Sequence, residues 1–291
     1  TGRGILDSKD WAFGTAGNIL QFDNVTNSTV EGIIAKDSPT WTFRLFQSDY
    51  ITVNNLKILS THLENATDGI DIVNSSHITI SDSFVRSHDD AIAIKGMTFS
   101  DGRGDDTVTV TRTVLWTDGA NGFRIGCESH AAFMRNFTFT DIDVLHFGGY
   151  EWIISLQPAE NMPIENVRFE NLRAEFEYGA TGNFIELLPQ VTQWSNPPEG
   201  RIQGVYFKNI SLGGYRNPTT AGTITVDGPA ATHDVRDVTF DNVVRYGQAT
   251  AANSPNVSVT GYTSNIVFGA GSPTTSDTQA PSIPAGLSAQ A

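Results

Sequence analysis

The stretches ITVNNLKI at residues 51–58 and ITISDSFV at residues 78–85 decide the fold, because they share one template. Each reads apolar, any, apolar, any, polar, and the sixth position is apolar in most copies. The same template returns in VTVTRTVL (108–115), FTFTDIDV (137–144), VRFENLRA (167–174), VYFKNISL (205–212) and VTFDNVVR (238–245), and a weaker copy is STVEGIIA (28–35). The starts of the seven clear copies lie 27, 30, 29, 30, 38 and 33 residues apart. An internal repeat of this length indicates stacked supersecondary units.

A second, shorter strand pattern lies between these copies. It reads polar, any, apolar, any, apolar, and it occurs in NILQF from Asn18, WTFRL from Trp41, DGIDI from Asp68, DAIAI from Asp90, NGFRI from Asn121, NFIEL from Asn183 and GTITV from Gly222. In GGYEWIISL the strand starts at either Tyr150 or Trp152. Two alternating strands per repeat, without helical periodicity, predict an all-β fold, a parallel β-helix or solenoid.

The alternation also predicts which side chains form the core. One face of each short strand points inward, which assigns the core to Ile70, Ile72, Ile92, Ile94, Phe123 and Ile125. The neighbours Asp71, Ala93 and Arg124 are expected to face outward. A β-sandwich would alternate too, but its strands would not repeat one template with a polar fifth position. Stacked coils explain that position, because Asn and Asp side chains can hydrogen-bond along a ladder.

Composition limits the class of protein. The chain has 291 residues, of which 39% are hydrophobic and 17% charged, so residues 1–268 can form one large β domain. No apolar run is long enough to span a membrane. The net charge of −14 argues against nucleic acid and, less strongly, against highly acidic polysaccharides. Cys127 is the single cysteine, so no disulfide closes within the chain.

The ends of the chain predict its context. The first residues have neither a basic nor an apolar signal region, so the chain is expected to start after any signal peptide. Residues 269–291 have linker composition, and DTQAPSIPAGLSA within them resembles the opening of a fibronectin type III module. We therefore expect a secreted, monomeric catalytic or binding unit that is tethered to further modules.

The segment HDDAIAIKG at residues 88–96 places Asp89 and Asp90 before a short strand. Aligned coils put Asp68 beside Asp90, at a strand spacing of about 4.8 Å. Crowded carboxylates raise at least one pKa, which leaves a protonated acid beside ionised carboxylates. Hydrolysis of a glycosidic bond needs that mixture. A bound calcium ion would also explain the cluster, whereas the pair Asp105 and Asp106 is interpreted as a solvated turn.

Several of these segments resemble one enzyme family. SPTWTF, SDYITVNNLKI, TDGIDIVNSSHITISDSFV and HDDAIAIKG are similar to the pectinase-like right-handed parallel β-helix glycoside hydrolases, among which the polygalacturonases are best known. The resemblance extends over residues 1–245. It implies an inverting hydrolase in which Asp89 is the general acid while Asp68 and Asp90 activate water.

The chain departs from the polygalacturonase pattern at two positions. Asn121 stands where that family has a histidine in a Gly-His-Gly turn, and YEWIISLQP stands where it has an Arg-x-Lys pair that holds the substrate carboxylate. IDVLHFGGYEWIISL looks more like the dextranase and α-1,3-glucanase members, and Tyr150 and Trp152 would stack on a sugar ring. We therefore expect a neutral α-glucan as substrate. A pectic substrate, a non-catalytic polysaccharide-binding β-helix and a calcium-dependent lyase are the alternatives.

Other side chains near the aspartates are candidates for contacts to the sugar. Lys95 and Arg124 are expected to contact substrate, to shift the aspartate pKa values or only to pair with the aspartates, and Asp71 is the rival for the base. With Asp68, Asp89 and Asp90 as catalytic residues, the predicted substrate-binding residues are Asp71, His88, Lys95, Asn121, Arg124, Glu128, His146, Tyr150 and Trp152. No cofactor and no metal are predicted, because neither a P-loop nor zinc-ligand spacing occurs.

Overall fold

The structure is a computed structural model that describes residues 1–12, 17–60, 65–99, 102–216 and 222–269. In this part of the chain every regular element is a β-strand, as the alternating pattern predicts. The strands are β1 Ile5–Asp7, β2 Leu20–Asp23, β3 Thr26–Glu31, β4 Ile34–Lys36, β5 Phe43–Phe46, β6 Asp49–Asn54, β7 Lys57–Leu59, β8 Ile70–Val73, β9 Ser76–Ser81, β10 Phe84–Ser87, β11 Ile92–Met97, β12 Asp105–Thr117, β13 Phe123–His130, β14 Met134–Phe147, β15 Trp152–Gln157, β16 Pro163–Phe176, β17 Asn183–Leu187, β18 Arg201–Gly214, β19 Ile224–Gly228, β20 Val235–Arg245, β21 Gln248–Ala249, β22 Val257–Gly261 and β23 Thr263–Phe268.

The strands form two sheets, which we call the short-strand sheet and the long-strand sheet. The short-strand sheet runs β2-β5-β8-β11-β13-β15-β17-β19-β22, and the long-strand sheet runs β1-β4-β7-β10-β12-β14-β16-β18-β20-β21, with β3, β6, β9 and β23 paired beside it. Apart from the antiparallel pair β20–β21, the paired strands among the described residues are parallel. The predicted parallel β-helix is confirmed.

The register of the short-strand sheet follows the predicted columns. Ile70 pairs with Ile92, Ile92 with Phe123 and Phe123 with Ile154. This pairing aligns Asp68 with Asp90 and Asn121, and it selects Trp152 rather than Tyr150 as the start of the next strand. The predicted placement of Asp68 and Asp90 on neighbouring coils is therefore correct.

Apolar side chains fill the interior of the solenoid. The predicted core residues Ile70, Ile72, Ile92, Ile94, Phe123 and Ile125 are all at most 1% exposed. Farther along the axis, phenylalanine rings stack from coil to coil, with centroids 4.5 to 5.4 Å apart, in the series Phe139, Phe169, Phe207, Phe240 and Phe268. Each coil thus buries its apolar face against the next, as a solenoid requires.

The polar fifth position of the template forms a corner of the coil, which we call the asparagine corner. Its residues have positive φ, between 46° and 76°, at Gly32, Asn55, Asp82, Arg112, Asp141, Asn171, Asn209 and Asn242. Asn tolerates this left-handed conformation better than most residues. The predicted ladder exists, since the amide of Asn171 donates to Asp141, that of Asn209 to Asn171 and that of Asn242 to Asn209.

The structure bears on three further expectations from the sequence: a turn, two outward-facing residues and the linker. The pair Asp105 and Asp106 is not a solvated turn, because both residues begin β12 and Asp105 is fully buried, where it accepts a hydrogen bond from the Ser75 N–H. Asp71 and Arg124 lie on the outer side of their strands as predicted, but neighbouring side chains cover them.

The proposed linker lies almost wholly outside the described residues. Among the described residues, no helix has the length and apolar character needed to cross a membrane.

Candidate active site

Three aspartates meet where chain segments enter the short-strand sheet. Asp68 precedes β8, and Asp89 and Asp90 join β10 to β11. One carboxylate oxygen from each lies within 4.8 Å of one from each of the others. Gly69 allows this approach, since a Cβ at that position would lie only 2.4 Å from the carbonyl oxygen of Ala91 on the neighbouring coil. The aspartates therefore form one group, which we call the aspartate trio.

Each member of the trio has a different partner. Asp68 Oδ2 lies 2.8 Å from the ammonium of Lys95. Asp90 Oδ1 accepts hydrogen bonds from the backbone and side-chain N–H groups of Asn121, at 3.1 and 2.7 Å. Within the described ranges, the hydrogen bonds that Asp89 accepts come from the backbone N–H groups of Ala66 and Asp90. Among the described residues, Asp89 is thus the member that no cationic or amide side chain is seen to contact.

The environment raises the pKa of two members of the trio. Burial raises the pKa of Asp68 well above its ordinary value, against the opposing charge of Lys95. Burial and the neighbouring charge of Asp90 raise the pKa of Asp89, although backbone N–H groups and Lys95 oppose this. Desolvation and like charge both disfavour the ionised carboxylate. The trio therefore retains a proton at a pH where isolated aspartates have lost theirs.

Lys95 forms the floor of the site. Its ammonium lies 3.2 Å from Asp71 Oδ1, 3.5 Å from a Glu128 oxygen and 4.3 Å from the centre of the Trp41 ring. Lys95 is 4% exposed and Asp71 has no exposed surface. Burial raises the pKa of Asp71 to about 7, with Lys95 opposing. These two side chains pair with each other, and the expectation that they contact substrate stays a prediction.

Asn121 connects the trio to a second charged group. Its amide donates to Asp90 Oδ1 and to Glu151 Oε2, both at 2.7 Å, and its own oxygen accepts from the Trp152 N–H. Asn121 is fully buried. It is therefore a positioning residue for Asp90, and the expectation that it contacts substrate stays a prediction.

The second charged group is centred on Arg124. Its guanidinium donates to Glu151, to the Ser155 hydroxyl at 2.9 Å and to Gln157. Ser155 and Gln157 also donate to Glu186, each at 2.8 Å. Burial alone would lower the pKa of Arg124, but the surrounding negative charges raise it. Arg124 is thus a permanent cation that protein carboxylates already neutralise.

The matching family model is described as Glycosyl hydrolases family 28, and it extends over residues 9–175, more than half of the chain. The chain belongs to glycosyl hydrolase family 28. The matched segment contains the whole trio together with Lys95, Asn121 and Arg124. The predicted pectinase-like family is therefore confirmed, whereas no comparison supports the narrower dextranase and α-1,3-glucanase branch.

The relatives of this family 28 chain are named as polygalacturonases. A "Probable exopolygalacturonase B" of Neosartorya fischeri is 28% identical over 203 residues, which is 67% of this chain and 35% of the relative. An exopolygalacturonase of Arabidopsis thaliana is 27% identical over 267 residues, which is 86% of this chain and 57% of the relative. The chain thus spans between about a third and about three fifths of the length of these relatives.

Solved structures support the fold. An exopolygalacturonase from Thermotoga maritima matches with a TM-score of 0.56 at 16% identity, over 85% of this chain and 54% of that one. A polygalacturonase from Erwinia carotovora matches with a TM-score of 0.54 at 19% identity, over 82% of this chain and 59% of that one. At this identity the likeness concerns the β-helix alone.

The remaining predicted residues lie at different distances from the trio. His88 precedes Asp89, and its ring packs on Gly119, where a Cβ would lie 2.9 Å from the ring. Glu128 joins the Lys95 group. His146 lies on the outer side, where it stacks on Trp116 and pairs with Asp118 at 3.1 Å. No contact joins His146 to the trio within the described chain.

Tyr150 and Trp152 lie on the coil after Asn121, where both were expected to meet the sugar. Tyr150 is 56% exposed, and its ring has surface available for a ligand. Burial and the charges of Glu151, Asp89 and Asp90 raise the pKa of Tyr150, because they disfavour its ionised form. The Tyr150 N–H donates to Gly119 O, and the Ala120 N–H donates to His88 O, so the loop of Tyr150 lies two coils from the loop of Asp89 and Asp90.

Sequence reasoning missed Trp41, Glu151 and Glu186 as parts of the site. Trp41 occupies the column of Asp68 one coil earlier, so the alignment itself contained that signal. Glu186 takes the outward position that Asp71 and Arg124 take on earlier coils. Glu151 has no such signal, because it precedes β15 in a segment whose register the sequence leaves open.

Proposed function

We propose that this family 28 chain hydrolyses an α-linked, galacturonan-type polysaccharide at the aspartate trio. The observation that supports the proposal is the approach of three carboxylates within 4.8 Å, together with the raised pKa values of Asp68 and Asp89. The relatives named as polygalacturonases support the choice of substrate. Secretion of the chain belongs to the same proposal, because a polysaccharide of this size lies outside cells.

In the proposed reaction Asp89 is the general acid. Its raised pKa favours the protonated carboxyl group, and among the described residues no lysine is seen to pair with it as Lys95 pairs with Asp68; the proton passes to the glycosidic oxygen as the bond to the anomeric carbon breaks. Asp68 and Asp90 hold a water molecule between them, one of the two ionised carboxylates takes its proton, and the water oxygen forms the new bond to the anomeric carbon. Lys95 favours ionised Asp68, and Asn121 fixes the orientation of Asp90.

A neutral α-glucan is a second candidate, favoured by the surroundings of Arg124. The outward positions of β15 carry the uncharged Ser155 and Gln157, and the buried cation that contacts them, Arg124, is paired with Glu151. A uronate would have to displace Glu151 to reach the guanidinium. A neutral sugar would not need that contact, because hydroxyl groups can bond to amides and to serine.

The first experiment measures product release from polygalacturonate, dextran, α-1,3-glucan and pullulan. We expect cleavage of polygalacturonate, and Asp89→Asn should lower kcat/KM by about 100-fold or more, since the acid is lost. Asp106→Asn is the matched control, because Asp106 pairs with Arg135 on the long-strand sheet. It should leave the rate unchanged.

Other outcomes would redirect the proposal. Cleavage of only a neutral glucan would establish the second candidate. An unsaturated product absorbing in the ultraviolet, lost on adding a chelator, would indicate a calcium-dependent lyase and overturn hydrolysis. Binding without any product would make the chain a non-catalytic β-helix.

A further inference from the structure

The loops that enter the short-strand sheet carry a tyrosine on four successive coils. Tyr150 lies between β14 and β15, Tyr178 between β16 and β17, Tyr215 between β18 and β19, and Tyr246 directly after β20. The trio aspartates Asp89 and Asp90 occupy the corresponding loop between β10 and β11. Only the coil of Asp118–Asn121 separates them from the first tyrosine.

Backbone hydrogen bonds show that these loops stack in order. The Tyr150 N–H donates to Gly119 O, the Glu177 N–H donates to Phe147 O, and the Gly182 N–H donates to Gly149 O. The Tyr215 N–H then donates to Phe176 O and the Tyr246 N–H to Leu212 O. The tyrosines therefore advance by one coil at a time, about 4.8 Å per step. We call them the tyrosine row.

The rings of the tyrosine row have surface available for a ligand. Tyr150 is 56% exposed and Tyr178 is 84% exposed, while Tyr215 and Tyr246 are partly covered. The rings of Tyr178 and Tyr215 lie 4.6 Å apart and tilted. Exposed aromatic surface on adjacent coils indicates that these rings form a binding surface and are not part of the core.

We propose that the tyrosine row binds the substrate polysaccharide over several sugar residues on one side of the aspartate trio. A pyranose ring presents an apolar C–H face, and an exposed tyrosine offers a flat apolar ring with a hydroxyl group at its edge. The coil spacing is close to the length of one sugar residue in an extended chain. Each coil can therefore receive about one residue.

The position of the tyrosine row next to the trio indicates that its ligand is the substrate polysaccharide. The row begins at Tyr150, whose N–H donates to Gly119 O, and the Ala120 N–H of that loop donates to His88 O beside Asp89, so a chain held at the trio extends onto the row without a missing coil. Gly119, Gly148 and Gly149 belong to the loops that join the trio to the row. This inference rests on the proposed hydrolysis and assigns the part of the substrate that does not react.

The test compares substrates of different length. Tyr178→Ala and Tyr215→Ala should each lower kcat/KM on polygalacturonate by about two- to tenfold. Neither should change kcat/KM on a di- or trisaccharide, which is too short to reach Tyr178. Tyr50→Ala is the matched control, because Tyr50 is also 56% exposed but stacks on His77 beside the long-strand sheet. It should change neither rate.

A binding measurement separates this inference from the proposed function. The Asp89→Asn chain should be retarded in gels that contain the polysaccharide, and adding Tyr178→Ala and Tyr215→Ala should abolish the retardation. If the chain without substitutions hydrolyses no substrate, the proposed function fails. If the tyrosine substitutions still abolish binding in that case, the inference about the tyrosine row holds. Equal losses on short and long substrates, or unchanged binding in the tyrosine variants, would overturn the row.

Discussion

Lys95 is the residue whose role differs most from a simple surface cation. It contributes one buried positive charge to a site that contains Asp68, Asp71 and Glu128 at 2.8, 3.2 and 3.5 Å. Those carboxylates raise the pKa of Lys95 well above its ordinary value, although its burial acts in the opposite direction. Lys95 therefore stays charged in the folded enzyme. Its charge lowers the pKa values of the neighbouring carboxyl groups, which burial raises.

Removal of that charge should alter the pH profile. In Lys95→Met the pKa of Asp68 should rise further, because only burial and like charges remain. The base form then appears at higher pH, and the acid-side limb of kcat/KM against pH should move upward by about one pH unit. Measuring this limb tests the role. An unmoved limb with a lower rate at every pH would make Lys95 a purely structural residue.

Two further variants complete that comparison. Lys95→Arg keeps the positive charge and should leave the limb within a few tenths of a pH unit of its original position. Lys57→Met removes a lysine that contacts Asn55 at the asparagine corner and should leave the profile unchanged. The unfolding free energy of Lys95→Met should fall by about 3 kcal/mol at neutral pH, because a buried carboxylate loses its partner. The loss should shrink at low pH, where Asp71 is protonated.

At the scale of the strand and its corner, the asparagine corner combines two effects. Asn209 has a φ of 53°, its amide donates to Asn171, and its oxygen accepts from Asn242. Asn209→Ala loses both hydrogen bonds. It also places alanine, whose side chain cannot form a local hydrogen bond, in the left-handed region. We expect a loss of about 1 to 2 kcal/mol in unfolding free energy.

Asn209→Gly tests the backbone contribution separately. It also removes both hydrogen bonds, but glycine adopts positive φ without steric cost. Its loss should therefore be smaller than that of Asn209→Ala by about 1 kcal/mol. Denaturant unfolding of the two variants measures the difference. Equal losses would mean that the hydrogen-bond ladder alone explains the polar residue at this corner.

Strand register could be predicted from the sequence, but burial on the outer side could not. Asp68, Asp90 and Asn121 align because apolar positions recur in every coil, and alternation assigns each side chain to one face of its strand. Alternation says nothing of what covers that face. Asp71 is covered by Lys95 of the neighbouring strand β11, and Arg124 by Glu151 of the loop before β15, and alternation within one strand predicts neither contact.

The second corner of the coil shows the same limit. Positive φ recurs at His77, Thr107, Asn136, Asn166, Gly204, Asp237 and Asn265. The amide of Asn166 donates to Asn136, and that of Asn265 donates to Asp237. The residue types vary too much for a template to reveal this column, because the backbone requires only the conformation and several residues tolerate it.

At the scale of the whole molecule, the net charge of −14 bears on the choice of substrate. Glu128, Glu151 and Glu186 lie in the same region of the short-strand sheet as the trio, and among the described residues Lys95 and Arg124 are the cations that offset these charges. A polyanion such as galacturonan is repelled at long range by this surface, whereas a neutral glucan is not. Because the proposed substrate is acidic, this repulsion should make the rate of its hydrolysis depend on salt concentration.

The rate on polygalacturonate should rise with salt. At 0.1 M ionic strength charges are screened beyond about 10 Å, so repulsion between the acidic surface and the approaching polymer weakens. We expect kcat/KM to increase by about two- to tenfold between low and moderate salt. Any neutral glucan that is cleaved serves as the control, and its rate should stay constant. A rate on polygalacturonate that falls with salt would show that cations at the site, Arg124 above all, hold the uronate directly, and Glu151 would then be the residue that moves aside.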